Sequence, residues 1–136
     1  TGAALPAGYV RTDADTLARF DGTAWVLDRA PERGANAGGD YRRLADGTQT
    51  CARVATASLA LDVAAFGGFR CAYQTWTFPL AFAAPPVVLA AATGGTAAGA
   101  NVGTVSATAA GWAATAFTTQ PAAARTVSLT AQGLWF

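Results

Sequence analysis

The feature that most limits the fold of this chain is the spacing of its alanines. Of 136 residues, 36 are Ala, an excess that by itself favours helix, but they are interleaved with Thr, Val, Gly and Pro. No stretch of a dozen residues is free of a breaker while also carrying an apolar stripe at helical spacing. Short runs with a period of two recur instead. In RTVSLTAQGLWF, Val127, Leu129 and Ala131 alternate with Ser128, Thr130 and Gln132, placing one face inward and one outward. TWTFPLAF carries Trp76, Phe78, Leu80 and Phe82 at the same period, with Pro79 favouring an edge or a bulge. PPVVLAAAT, NVGTVSAT and GWAATAFTT read as further strands. The pattern predicts an all-β chain, an antiparallel β-sandwich. Thr56 to Phe66 is the one segment that also reads as one or two helical turns.

The larger apolar residues suffice for one thin layer of packing, and charge is unevenly spread. Fifteen of the 17 charged residues lie in the first 62 positions, and from Val63 to Phe136 the only charges are Arg70 and Arg125. A free-standing domain normally wets its surface with more charge than that. With no His in the chain, imidazole bases and His metal ligands are excluded, and neither a metal site nor a cofactor is expected. A net charge of +1 gives none of the basic field of a nucleic-acid-binding domain. The longest apolar run, Phe78 to Ala92, is broken by Pro79, Pro85 and Pro86, so no membrane insertion is expected. The chain opens TGAALPAGYV, with neither an initiator Met nor a signal peptide, and reads as a fragment or a processed product. Cys51 and Cys71 permit one disulfide and demand none.

Residues 1–31 read as a small β unit. β-favouring residues flank Asp21-Gly22, a dipeptide suited to a tight hairpin turn, and Leu17, Phe20, Trp25 and Leu27 are placed to cover one another. Pro31 to Asp40, PERGANAGGD, has the Gly, Asn and Pro density of a linker, which is expected over residues 32–40. Residues 41–136 then form the main domain, opening with a second Asp-Gly turn at Asp46-Gly47.

The residues of that domain suggest a family. GANAGGDYRRLADGTQTC, followed by TWTFPLAFAAPPVV, then GW and a final strand ending in LWF, resembles the C-terminal domain of bacteriophage tail fibres. That family shows an aromatic and a basic residue before a small-x-DGTQ-x-C segment, then W-x-F-P-x-x-F, then Pro and Val. The resemblance covers roughly Gly34 to Phe136, and TLARFDGTAWV upstream looks like the hairpins that precede such tips in fibres and in head or tail spikes. It implies a sandwich similar to the H-type lectins, assembled as a homotrimer at a receptor-binding tip on the surface of a virion or phage-like particle. Its implied partners are a bacterial surface polysaccharide and the N-terminal remainder of the fibre or its adaptor. The chain departs from the pattern at Ala52, where members often carry an aromatic residue, and in having Cys71. The carried residues are structural: Asp46 and Gly47 for the turn, Trp76, Phe78 and Phe82 for the core.

Glycan binding needs an aromatic face for sugar C–H groups, neutral hydrogen-bonding groups for hydroxyls, and Arg where the sugar is acidic. If consecutive strands run antiparallel from Thr48, the connections Leu59 to Arg70, Thr93 to Ala100 and Thr119 to Arg125 share one end. That end gathers Arg70, Arg125, Phe66, Phe69, Asn101 and Gln120 as candidate ligand residues. Trp112, at a strand start after Gly111, is a further candidate for an intersubunit groove, and Trp135 an anchor for the last strand or the trimer axis. One difficulty follows: Asp40 would lie at this same end, where the shaft should join. An enzyme is not expected, because glycoside hydrolysis needs two carboxylates about 5–10 Å apart and every acid precedes Val63. The alternative to a receptor-binding tip is a purely structural trimerising cap or head or collar decoration.

Overall fold

A computed structural model describes residues 31–93 and 99–136 with their side chains, and of the first thirty residues the backbone of 9–11, 16–20 and 25–29. The chain is all-β, with no helix among the described residues. At the N-terminus β1 (Tyr9–Arg11), β2 (Thr16–Phe20) and β3 (Trp25–Arg29) form an antiparallel three-stranded sheet. Its second hairpin sets Phe20 opposite Trp25. The Asp21-Gly22 turn and the mutual covering expected of Leu17, Phe20, Trp25 and Leu27 lie outside the described residues.

The remaining strands are β4 (Glu32–Asn36), β5 (Gly39–Arg43), β6 (Thr48–Leu61), β7 (Val63–Ala65), β8 (Gly68–Arg70), β9 (Gln74–Thr77), β10 (Val87–Thr93), β11 (Gly99–Val105), β12 (Ala109–Ala116) and β13 (Gln120–Leu134). They make two antiparallel sheets. The first has the order β10-β13-β6-β5-β4; the second has β11-β12-β8-β7, with β9 also paired to β12. Their buried faces share one core, in which Cys51, Leu59, Val127 and Leu129 of the first sheet meet Trp76, Trp112 and Ala114 of the second.

Thr56 to Phe66 is strand rather than helix, since β6 runs through to Leu61 and β7 follows at once. Backbone pairing with β13 runs through the segment from Thr56↔Thr126 to Leu61↔Gln120, and Thr56 and Thr126 share a hydroxyl hydrogen bond of 2.9 Å in the ladder. TWTFPLAF stops being a strand at Thr77. Pro79 has no N–H to offer a ladder, and the segment is held instead by the Phe78 and Phe82 N–H groups donating to the Thr108 and Ala107 carbonyls, each at 2.9 Å. Trp76, Phe78 and Phe82 are all buried. Their rings meet edge to face, at 4.9 Å for the first pair and 5.1 Å for the second, a geometry that contributes about 0.5–1.5 kcal/mol per pair beyond burial.

Residues 32–40 are a hairpin arm, not a linker. β4 pairs with β5 from Glu32↔Arg43 to Asn36↔Gly39. Two long-range bonds clip the arm down: Trp76 Nε1 donates to the Gly38 carbonyl at 2.7 Å and Asn36 Nδ2 to the Pro79 carbonyl at 2.8 Å. The extra strand reverses the chain once more, so Glu32 lies beside the Asp46-Gly47 turn and not beside the long loops.

At that turn end, Gly47 N–H donates to the Leu44 carbonyl (3.1 Å) and Asp46 Oδ1 accepts from Thr48 N–H (2.8 Å). This second bond holds the Asp46 carboxyl below its ordinary pKa. Gly47 takes φ 94°, a conformation costly for any side chain. Trp135 anchors the last strand here: its ring N–H donates to the Leu44 carbonyl at 3.0 Å and its backbone N–H to the Gly47 carbonyl at 3.0 Å.

Candidate functional site

Three connections gather at the other end, as the strand directions predict. β7 and β8 are joined by Phe66-Gly67, β12 leads to β13 through residues 117–119, and β10 ends and β11 begins on the same side. Phe66 and Gly67 both have positive φ, 55° and 73°, as a two-residue type I′ turn requires. Phenylalanine is a poor residue for that backbone, and here its ring is also 76% exposed. Phe117, where β12 runs out, is 84% exposed. These are the two most exposed large apolar side chains among the described residues. Between them lies a cleft of about 270 Å³ whose lining includes Phe69, Asn101 and Thr115.

Beside the cleft, the outer face of the second sheet carries a layer built on Tyr73. Arg70 Cζ stands 4.4 Å over the Tyr73 ring, and its Nη1 donates to the Cys71 carbonyl at 2.9 Å. The Tyr73 hydroxyl accepts from Asn101 Nδ2 at 3.2 Å, while the buried Asn101 Oδ1 has no donor among the described residues. Gly103 makes room for the ring, since a Cβ there would sit 2.9 Å from Tyr73 Cε1. Ala113, the register partner of Asn101, is fully buried on a face that a bare sheet would leave exposed, so the layer covers it. On the far side of Tyr73 a groove of about 660 Å³ runs over Gln74, Thr75, Gly103 and Gly111.

Arg70, Asn101 and Phe69 are thus brought together, with Phe66, at the predicted end. Two other candidates need correction. Arg125 is only 3% exposed; its Nε donates to the Leu59 carbonyl (2.9 Å) and its Nη2 to the Pro121 carbonyl (3.1 Å). It braces the β-bulge where β13 slips register between Gln120 and Ala123, and a ligand does not reach it. Trp112 is buried in the core, because the strand begins earlier, at Ala109, and places Trp112 on its inner face. Gln120 is half-buried opposite Leu61 and lies outside the cleft lining.

The two cysteines are free and buried. Cys51 lies on β6, where burial pushes its thiol pKa up. Cys71 fills the break between β8 and β9: its N–H donates to the Ala114 carbonyl (3.1 Å) and its Sγ accepts from the Ala114 N–H (3.3 Å). Cys71 therefore keeps β12 paired across that break.

Tyr73, Phe117 and Gln49 went unread in the sequence. Gln49 is fully buried, its Oε1 accepting from Arg43 Nε at 2.7 Å and its Nε2 donating to the Leu80 carbonyl at 2.9 Å. An amide inside a DGTQ turn next to a strand that buries alternate residues was its only signal. Phe117 was marked by an aromatic ring directly before a Thr-Thr-Gln-Pro turn.

A second surface lies on the outer face of the first sheet. Leu89, Thr130, Ala52 and Asp40 form one row across four strands, and Val87, Gln132, Thr50 and Arg42 the next. With Leu134 they line a broad shallow trough of about 740 Å³. Val87, Leu89 and Val54 are each about two-thirds exposed.

Comparison with family models, with curated proteins and with solved structures finds no match to this chain.

Proposed function

We propose that this chain is the receptor-binding tip of a tail fibre or spike of a phage or phage-like particle, an H-type-lectin-like sandwich that works as a homotrimer and adheres to a bacterial surface glycan without cleaving it. The observation that carries the reading is polarity. Glu32, where the chain comes in, lies at the turn end with Trp135, and the exposed pair Phe66 and Phe117 lies around Asn101 at the opposite end. A domain hung from one end and aromatic at the other suits adhesion. The trough lined by Val87, Leu89 and Leu134, with Val54 exposed on the same sheet, supplies a place for copies to meet, as a charge-poor domain requires.

The burial of Arg125 and Trp112 favours the second reading, a trimerising cap without a ligand, because it removes two of the expected contacts. Adsorption of the fluorescently labelled chain to encapsulated bacteria and to their capsule-free counterparts separates the two. A tip adsorbs saturably, is displaced by soluble polysaccharide, and loses at least tenfold in affinity with Phe117→Ala. A well-folded oligomer that adsorbs to no strain is a cap.

A further inference from the structure

We propose that the glycan is acidic and that Arg70 receives its carboxylate, held ready on Tyr73 and Asn101. This rests on the glycan reading above and adds the class of sugar.

From Val63 to Phe136 the chain has two cations and no acid. Arg125 is buried against backbone carbonyls, so Arg70 is the only charge that this part of the chain shows to solvent. No carboxylate pairs with Arg70 among the described residues. Its contacts are the Cys71 carbonyl and the Tyr73 ring. A guanidinium has five N–H donors, and one bond to a carbonyl leaves an edge free for the bidentate geometry that carboxylates prefer.

The placement of that guanidinium is built, not incidental. It is stacked on a ring whose hydroxyl is tied to Asn101 and whose position depends on Gly103 lacking a side chain. An arginine fixed in this way loses less side-chain entropy on binding than a solvated one. Its cross-strand partner is Thr115, on the same face, and Thr115 lines the cleft with Phe66 and Phe117. Charge recognition and an aromatic surface for sugar C–H groups are therefore adjacent. Asn101 joins the two, contributing to the cleft with one end of its amide unsatisfied while the other holds Tyr73. With no carboxylate paired to it among the described residues, Arg70 favours anionic sugars through a field that weakens as salt screens it.

The test is an array of acidic and neutral bacterial polysaccharides, with each acidic polymer also presented after reduction of its carboxyl groups to alcohols. The expected result is binding to at least one acidic polymer, weakened tenfold or more by carboxyl reduction and by 0.5 M salt. Arg70→Ala should abolish the preference for the unreduced polymer with no change in melting temperature. Arg70→Lys, which keeps the charge but loses the fork, should retain part of it, and Gly103→Ala, which displaces the Tyr73 ring, should reduce it. Binding that is equal for intact and reduced polymers, or a preference that survives Arg70→Ala, overturns the acidic-sugar assignment and leaves the glycan reading standing. Binding to no polymer on the array overturns both.

Discussion

The two outer faces of this domain are made from the same few residue types and differ in regularity. On the first sheet, β10, β13 and β6 stay in register over seven or more residues, and the outward residues line up in straight rows of Val, Leu, Thr and Gln. On the second sheet, pairing along β12 is interrupted between β8 and β9, and β11 slips register between Val102 and Val105. The slip and the glycines at 103 and 111 leave hollows, and Tyr73 and Arg70 occupy one of them. Unbroken pairing yields a smooth surface of mixed Val, Leu, Thr and Gln, suited to another protein surface. Broken pairing yields recesses with protruding aromatic and amide groups, suited to a small ligand.

The largest expected effect lies on the regular face. If copies meet there, Leu89→Asp places a charge at the edge-strand end of the row that continues through Thr130 and Ala52. Because Leu89 is 67% exposed, the substitution should leave the fold intact. The solution mass at micromolar concentration should drop from that of three chains to that of one, with an unchanged circular dichroism spectrum. Phe117→Ala on the irregular face should leave the mass as it was. A wild-type chain that is already monomeric refutes the role given to the first face.

The two arginines of the C-terminal part sharpen the comparison next. Arg125→Ala leaves the buried Leu59 carbonyl and the partly exposed Pro121 carbonyl without the guanidinium, the first at about 1–3 kcal/mol as a buried group left unsatisfied and the second at less. A loss of about 3 kcal/mol in denaturant unfolding is expected. Arg70→Ala, on the surface, should stay within about 0.5 kcal/mol of wild type. Equal losses would mean that Arg70 is a structural residue and that the second face is not set aside for a ligand.

The strands, the alternation along β13 and the burial of Trp76, Phe78 and Phe82 were legible because each follows from local pattern: period two, turn residues and a run of aromatics. The sharing of one end by the long loops was legible too, since antiparallel order fixes it. Arg125 and Trp112 were misread for one reason. Their roles depend on where a strand begins or slips, a matter of one or two residues that sequence does not mark. β4 was missed because Glu32–Asn36 has almost no apolar content, and its pairing is secured from outside by the Trp76 ring N–H and the Pro79 carbonyl. Tyr73 escaped notice because its importance lies in Gly103, thirty residues away in sequence and under its ring.

The smallest effect is the most discriminating. Phe66 holds φ 55° in a turn where its ring is 76% exposed. A side chain other than Asn, Asp or Gly in this left-handed conformation costs about 1–2 kcal/mol, and the exposed ring returns nothing to the folded state. Asn fits the same turn without that strain. Phe66→Asn should therefore stabilise the domain by about 1 kcal/mol in denaturant unfolding, against the usual sense of substituting a large apolar residue. If the ring serves a ligand, the same variant should lose glycan affinity, so that stability and binding move in opposite directions. Were Phe66 instead packed by its neighbours, Phe66→Asn would destabilise, and the strained turn would no longer point to function. Gain of stability with unaltered adsorption would place the ligand in the Tyr73 groove alone, away from the phenylalanine pair.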